Sequence, residues 1–146
     1  GHTVTPRARF VIRARVLGRE RYRFDSAAGV SPLDLALGWG PMSDQAVLDR
    51  IEVDQSGRWY WLRWELPPPL PEQVAMGHSG NMHMIPAERW VEKELLRARR
   101  GQVVELRGYL VDVDRDDGWA WRTSLSRDDV GDGSCEIVYV EHAAVH

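Results

Sequence analysis

Phe10-Val11-Ile12-Arg13-Ala14-Arg15-Val16-Leu17 sets Phe10, Ile12, Ala14 and Val16 against Val11, Arg13, Arg15 and Leu17. Side chains on a strand point alternately to its two faces. Apolar residues at a period of two, with arginines between them, therefore predict a long, half-buried β-strand. Arg21-Tyr22-Arg23-Phe24 is its candidate continuation beyond a break at Gly18. At the far end of the chain Cys135, Ile137 and Tyr139 alternate with Glu136, Val138 and Val140, which predicts a second strand of the same kind.

Between these two strands the pattern changes several times. Ser31, Pro32 and Asp34 have the form of a helix start, and Gly38 that of a stop, so a short helix is expected over 32–37. A turn follows through Met42, and Ser43 can cap a second short turn ending near Leu48. Ile51 and Val53 alternate with Glu52 and Asp54, and a strand is expected from Arg58 to Glu65, with Ser56-Gly57 as the hairpin turn. Pro67-Pro68-Pro69 removes three backbone donors and ends the sheet, leaving an extended loop to Gly77. His78 to Ile85 reads as a short strand or an ordered loop. From Pro86 the period becomes helical: Ala87, Val91, Leu95 and Ala98 share a stripe, with acids early, bases late and Gly101 as the stop. Val103–Val113 and Trp119–Ser126 then form a hairpin around Asp116-Asp117-Gly118, and a polar loop spans Arg127 to Gly133.

This order is strand, helical insert, hairpin, helix, hairpin, strand. The expected class is α+β: a small antiparallel β-barrel, OB-like by element order, with one main helix and a short helical insert. At 146 residues the chain makes a single globular domain, 1–146, with 1–5 and 142–146 expected to fray. Gly1-His2 reads as a tag remnant.

Composition narrows function by exclusion. With 43% apolar and 28% charged residues the chain is neither a disordered tail nor a membrane bundle. Nineteen Lys and Arg against 22 Asp and Glu give a net charge of −3, which disfavours a general nucleic-acid binder. The distribution is uneven. Gly1–Arg23 carries seven arginines against Glu20 alone, whereas Asp112–Asp132 carries seven aspartates and three arginines. Two solvated faces of opposite sign account for this, as would two interaction surfaces. Cys135 is the only cysteine, so no intrachain disulfide forms, which suits the cytosol and the periplasm equally.

Arg58-Trp59-Tyr60-Trp61-Leu62-Arg63-Trp64 is the most unusual segment. On a strand it puts Tyr60, Leu62 and Trp64 on one face and Trp59, Trp61 and Arg63 on the other. The second set is a candidate aromatic platform for bases or sugar rings, extended by Trp119 and Trp121 beside Arg122, unless the rings fill the interior. His78 and His83 stand five apart, an odd separation that turns them to opposite faces of a strand, and no third ligand is nearby. No metal is expected. Cys135 would be a nucleophile if His83 or His78 came near and Glu136 or an aspartate oriented the base. Alternation instead groups it with Ile137 and Tyr139, as a core position. Asp112–Gly118 and Asp128, Asp129 and Asp132 fit a hairpin turn and a solvated loop better than calcium loops. There is no phosphate-binding glycine loop and no Gly-x-Ser-x-Gly elbow, so no cofactor is expected.

Three segments carry a resemblance: Ser31-Pro32-Leu33-Asp34-Leu35-Ala36-Leu37-Gly38-Trp39-Gly40-Pro41-Met42-Ser43-Asp44; His78-Ser79-Gly80-Asn81-Met82-His83-Met84-Ile85-Pro86-Ala87; and Trp121-Arg122-Thr123-Ser124-Leu125-Ser126-Arg127-Asp128 with Gly131, Gly133 and Cys135-Glu136. Together they resemble a family of uncharacterised proteobacterial proteins with a short N-terminal hydrophobic segment before one soluble domain. Gly80 stands where the resemblance leads one to expect alanine. The likeness implies a periplasmic or membrane-anchored location, with membrane contact only through a preceding segment. It also groups Trp39, Asp44, His78, Asn81, His83, Arg127 and Glu136 as a candidate binding site.

The leading expectation is a non-enzymatic binding or interaction domain of the bacterial envelope, for an unknown protein or a small polar ligand. Two alternatives stand beside it: a hydrolase with His83 or His78 as general base, and an OB-type binder of single-stranded nucleic acid or oligosaccharide.

Overall fold

A computed structural model describes residues 1–125 and 135–146. Among the described residues the fold is mostly β, with half of them in strands and 16% in helices, a 3-10 turn included. β1 (His2–Arg21) alternates as its sequence requires: Phe10, Ile12, Ala14 and Val16 are buried, while Val11 and Arg13 face solvent. It bends at an irregularity between Val16 and Gly18, so that its first part pairs with β6 (Val103–Arg115) and its last part with β2 (Leu33–Gly38).

β2 replaces the short helix expected at 32–37. All six of its residues are buried, because both of its faces are covered. Leu33, Leu35 and Leu37 enter the main core, whereas Ala36 joins a second cluster on the other side. A strand buried on both faces reads as a continuous apolar run, which periodicity cannot tell from a buried helix. The turn after it is a 3-10 turn at Gly40–Ser43, and α1 (Gln45–Leu48) is capped by Asp44 rather than Ser43. Gly38 is required here, since a Cβ would lie 2.3 Å from the Met42 carbonyl oxygen.

β3 (Glu52–Ser56) and β4 (Trp59–Arg63) form the expected hairpin, but its turn is Gly57-Arg58, both with positive φ. Two left-handed residues make the turn that matches the right-handed twist of paired strands. α2 (Glu72–Gly77) occupies the segment expected to be loop. β5 (Ser79–Pro86) settles the open reading of 78–85 as a strand, and the main helix, α3, is Arg89–Leu96. β7 is only Ala120–Trp121, shorter than the strand expected at 119–126. β8 (Ile137–Val145) takes in most of the tail expected to fray. Its Val145 pairs with Val104 of β6, and at the other end of the chain His2 pairs with Arg115.

Five strands hydrogen-bond in a closed ring, β1-β2-β5-β8-β6 and back to β1. One contact in it departs from the antiparallel expectation: β5 and β8 run parallel, with His83 opposite Ile137. The ring interior is filled by Phe10, Leu33, Leu35, Met82, Met84, Leu106 and Val138 among others, and Val91 and Leu95 of α3 join that core. Burying a side chain of this size is worth about 1.5–3 kcal/mol. No helix among the described residues is long and apolar enough to cross a membrane.

Candidate functional site

The outer face of the ring carries the polar residues. β2 and β5 pair Asp34 with His83 and Ala36 with Asn81, so these four side chains share the face opposite the leucines. The β3–β4 hairpin folds over them. From its turn Arg58 Nη1 donates to Asp34 Oδ1 at 2.9 Å and to Ser31 Oγ at 3.1 Å. Arg58 Nε and Nη2 donate to the two oxygens of Asp25 at 2.8 and 3.0 Å, and Nη2 also to the Ser31 carbonyl at 2.7 Å. Its guanidinium lies 4.0 Å from the Tyr22 ring centroid. Burial works against the Arg58 charge, but hydrogen bonds and attraction from Asp25 and Asp34 outweigh it, so its pKa is raised. The same hydrogen bonds hold the Asp25 carboxyl below its ordinary value. Burial, partly offset by the Arg58 N–H that its hydroxyl accepts, pushes the Tyr22 phenol up.

Asp34 is completely buried and serves three partners. Besides Arg58, its Oδ2 accepts from Asn81 Nδ2 at 3.0 Å, and its Oδ1 lies 2.9 Å from His83 Nδ1. Asn81 is held in turn by Gln55, whose Nε2 donates to Asn81 Oδ1 at 2.9 Å. Tyr60 bonds Ser79 across the same seam at 3.0 Å, and burial raises its phenol pKa. The His83 ring is fully buried, with the Trp121 ring 4.5 Å away at an interplanar angle of 38°. Its second nitrogen, Nε2, is buried and has no hydrogen-bond partner.

His83 forms part of the wall of a cavity of about 300 Å³. Asp25, Ser26 and Ala27 contribute from the β1–β2 connection, Arg58 and Trp59 from the hairpin, and Trp119, Trp121 and Cys135 from the β6–β8 connection. Trp59 and Trp61 are 40% and 51% exposed, so the platform face Trp59, Trp61, Arg63 is open to solvent while Tyr60, Leu62 and Trp64 pack inward. Cross-strand pairing puts Asp54 beside Trp61 and Glu52 beside Arg63, and Arg63 bridges to both acids, at 2.5 and 3.4 Å. Arg122 is turned away to Asp114 in a two-toothed ion pair.

The seven residues grouped by resemblance separate. Asn81 and His83 meet at the cavity side of β5. Gly80, on the other face, would bring a Cβ to 3.6 Å from Glu136 Oε2 and 3.7 Å from Trp39 Cη2, so Trp39 and Glu136 lie together there. His78 precedes β5, has its Nδ1 2.8 Å from the Val74 carbonyl and sits against Gly40. Asp44 caps α1 at the surface. Arg127 lies outside the described residues, as do Asp128, Asp129 and Asp132. Asp112 accepts from Arg7 and from the Thr123 amide, as a bracing residue of β6. Among the described residues no group of three or more His, Cys, Asp or Glu could hold a metal ion.

Three members of the site, Asp25, Asp34 and Arg58, are not among the sequence candidates. One signal pointed to Asp34: in Leu33-Asp34-Leu35-Ala36-Leu37 a single acid interrupts the apolar run, and a strand reading turns it away from the leucines. The chain matches no family model and no curated protein.

Proposed function

We propose that the protein is a binding domain whose cavity receives a neutral, ring-bearing polar molecule, a saccharide in preference to a nucleotide. We read the closed ring as an OB-like barrel, with β1, β2, β5, β6 and β8 as its five strands and α3 between the third and fourth. Proteins of that architecture bind on the face of strands two and three and through the loops joining strands one to two and four to five. The observation that carries the reading is that this cavity draws on the same places: His83 on the third strand, Asp25–Ala27 from the first connection, and Trp119, Trp121 and Cys135 from the last.

Charge selects the ligand class. All five guanidinium N–H groups of Arg58 are committed to Asp25, Asp34 and Ser31, so it has none to offer a phosphate. Arg63 is shared between two acids. Affinity for nucleic acid comes largely from cations on phosphates, whereas a sugar needs an aromatic face and hydrogen-bonding edges. Trp59 joins the cavity to the exposed hairpin face and supplies the first. The setting at a bacterial envelope rests on the three resembling segments.

The test is tryptophan fluorescence titrated with cello- and chito-oligosaccharides and, separately, with oligothymidylate at low and high salt. Saturable quenching by an oligosaccharide, lost in Trp59→Ala, is the expected result. Oligothymidylate binding that falls steeply with salt would overturn the reading.

A further inference from the structure

We propose that the seam between the end of β1 and α3 is a docking surface for an acidic stretch of a partner polypeptide. No described residue is shared between this seam and the cavity lined by His83, and the saccharide reading does not enter it.

On other surfaces carboxylates cancel the arginine charge. Arg7, Arg13, Arg58, Arg63 and Arg122 each form an ion pair of 2.5–2.9 Å. Arg19, Arg21, Arg89, Lys93, Arg99 and Arg100, on the facing sides of β1 and α3, have no ion pair among the described residues. Two of them are fixed by main chain instead. Arg19 Nη1 donates to the carbonyls of Leu96 and Ala98 at the end of α3. Arg100 Nη2 donates to those of Leu48, the last residue of α1, and Ile51, each at 2.7 Å. The last carbonyls of a helix have no partner within it, and cationic side chains satisfy them. Such carbonyls carry only a partial negative charge, so these bonds position the guanidinium groups and leave a positive charge over. The side chains of Arg21, Arg89, Lys93 and Arg99 are exposed and make no hydrogen bond among the described residues.

Arg19 crosses between two hollows. One, of about 510 Å³, is lined by Arg21, Arg89 and Lys93 with Pro86 and Leu96. The other, of about 460 Å³, is lined by Arg19, Arg99 and Arg100 with Val53 and Ala98. The same strand and the same helix end supply both walls, so the hollows follow one another along a single seam. Four carboxylates are interspersed, Glu20, Asp54, Glu88 and Glu92. Asp54 is already bonded to Arg63, and Glu88 accepts from the Trp90 indole.

This composition selects the partner. A nucleic-acid backbone is an unbroken row of negative charge, which interspersed carboxylates oppose, and no aromatic ring lines either hollow to stack a base. A peptide that mixes acidic and apolar side chains fits both features. Its carboxylates meet guanidinium forks, which bind them in a two-toothed manner, and its apolar side chains meet Pro86, Leu96 and Val53, all half-buried.

The probe is a short fluorescein-labelled peptide in which glutamate alternates with leucine and glycine, followed by fluorescence anisotropy. Micromolar binding at low salt is expected, weakening about tenfold as the ionic strength rises to about 0.3 M, and the counterpart with lysine for glutamate should not bind. Lys93→Glu combined with Arg99→Glu should weaken the glutamate peptide by at least about tenfold. Arg107→Glu, at an exposed β6 position that lines neither hollow, should leave binding nearly unchanged. Absence of saturable binding at low salt, an equal loss in Arg107→Glu, or tighter binding of oligothymidylate than of the peptide overturns the proposal. Sedimentation that shows a dimer dissolved by the double variant also overturns it, in favour of a second copy of the chain. The wild-type titrations decide even where a variant fails to fold. Neither hollow is lined by tryptophan, so the oligosaccharide titration reports the other site and each reading can fail alone.

Discussion

Arg58→Ala removes the cation that holds the site together, and its cost can be worked from the contacts. The Asp34 carboxylate has no exposure, and it would keep only Asn81 and His83. Breaking a buried ion pair by deleting one partner costs about 3–5 kcal/mol. The bonds to Asp25, whose side chain is 36% exposed, add little, at most ~1 kcal/mol. The backbone enters separately. Arg58 has φ of +72°, a left-handed conformation that costs a non-glycine residue about 1–2 kcal/mol and that alanine inherits. Arg58→Gly relieves this strain while losing the same ion pair. The expected losses are therefore about 4 kcal/mol for Arg58→Ala and about 2–3 for Arg58→Gly. Urea unfolding followed by tryptophan fluorescence measures both. With a slope of about 2 kcal/mol per molar, Arg58→Ala should lower the midpoint by roughly 2 M. A drop of less than about 0.5 M would refute the clamp, and glycine no better than alanine would refute the strain.

Three further outcomes follow from single residues. Asp25 is held below its ordinary pKa by Arg58, so its stabilising effect is fully present above about pH 4 and is lost as the pH falls through its lowered folded value. Asp25→Asn should therefore flatten the acid limb of a urea-midpoint profile, and an unchanged limb would count against the pairing. Gly108→Ala would place a Cβ 1.8 Å from the Tyr139 carbonyl oxygen at the β6–β8 irregularity, and should cost about 3 kcal/mol by thermal melting; a wild-type melting temperature would contradict that approach. Gly80→Ala meets only ordinary contacts of 3.6–3.9 Å within a strand, and should stabilise by about 0.5–1 kcal/mol; a loss on the same assay would show that Trp39 and Glu136 cannot give way.

What the sequence made legible was what periodicity encodes. The alternation of Phe10, Ile12, Ala14 and Val16 and that of Ile137 and Tyr139 against Val138 and Val140 survive as opposite faces of β1 and β8. The stripe of Val91, Leu95 and Ala98 survives as the core-facing side of α3 and its end. Residues 32–37 did not read correctly, because a strand covered on both sides loses the polar half of its alternation. Gly57-Arg58 was displaced by one residue because arginine is not an expected left-handed residue, and here hydrogen bonds from its side chain hold it. Of the site, His83 and Asn81 were visible. Asp25, Asp34 and Arg58 were not, since their pairings span 24 to 49 positions and no local pattern records them. Strand parity does not govern His78 and His83, because His78 ends α2 and only His83 lies on β5.

The buried ion pair and the register of β2 depend on one another, and a double-variant cycle can show it. Leu33, Leu35 and Leu37 face into the ring only if Asp34 faces out, because a slip of one residue exchanges the faces. Facing out, Asp34 needs the hairpin turn to bring Arg58 down upon it, while Gln55 and Tyr60 from the same hairpin fix Asn81 and Ser79. Asp34→Leu alone leaves Arg58 facing an apolar wall, and Arg58→Met alone leaves Asp34 with a buried charge, each at about 3–5 kcal/mol. Together they exchange an ion pair for packed side chains, leaving His83 Nδ1 as the main unsatisfied group, at about 1–3 kcal/mol. The double variant should therefore be no worse than either single one, well short of the additive loss. Additive losses by urea unfolding would mean that Asp34 and Arg58 act on stability through different neighbours. A non-additive cycle would mean that the pair is replaceable as a prop for the fold. What apolar residues cannot replace is the hydrogen bond between Asp34 and His83 Nδ1 that fixes the imidazole ring.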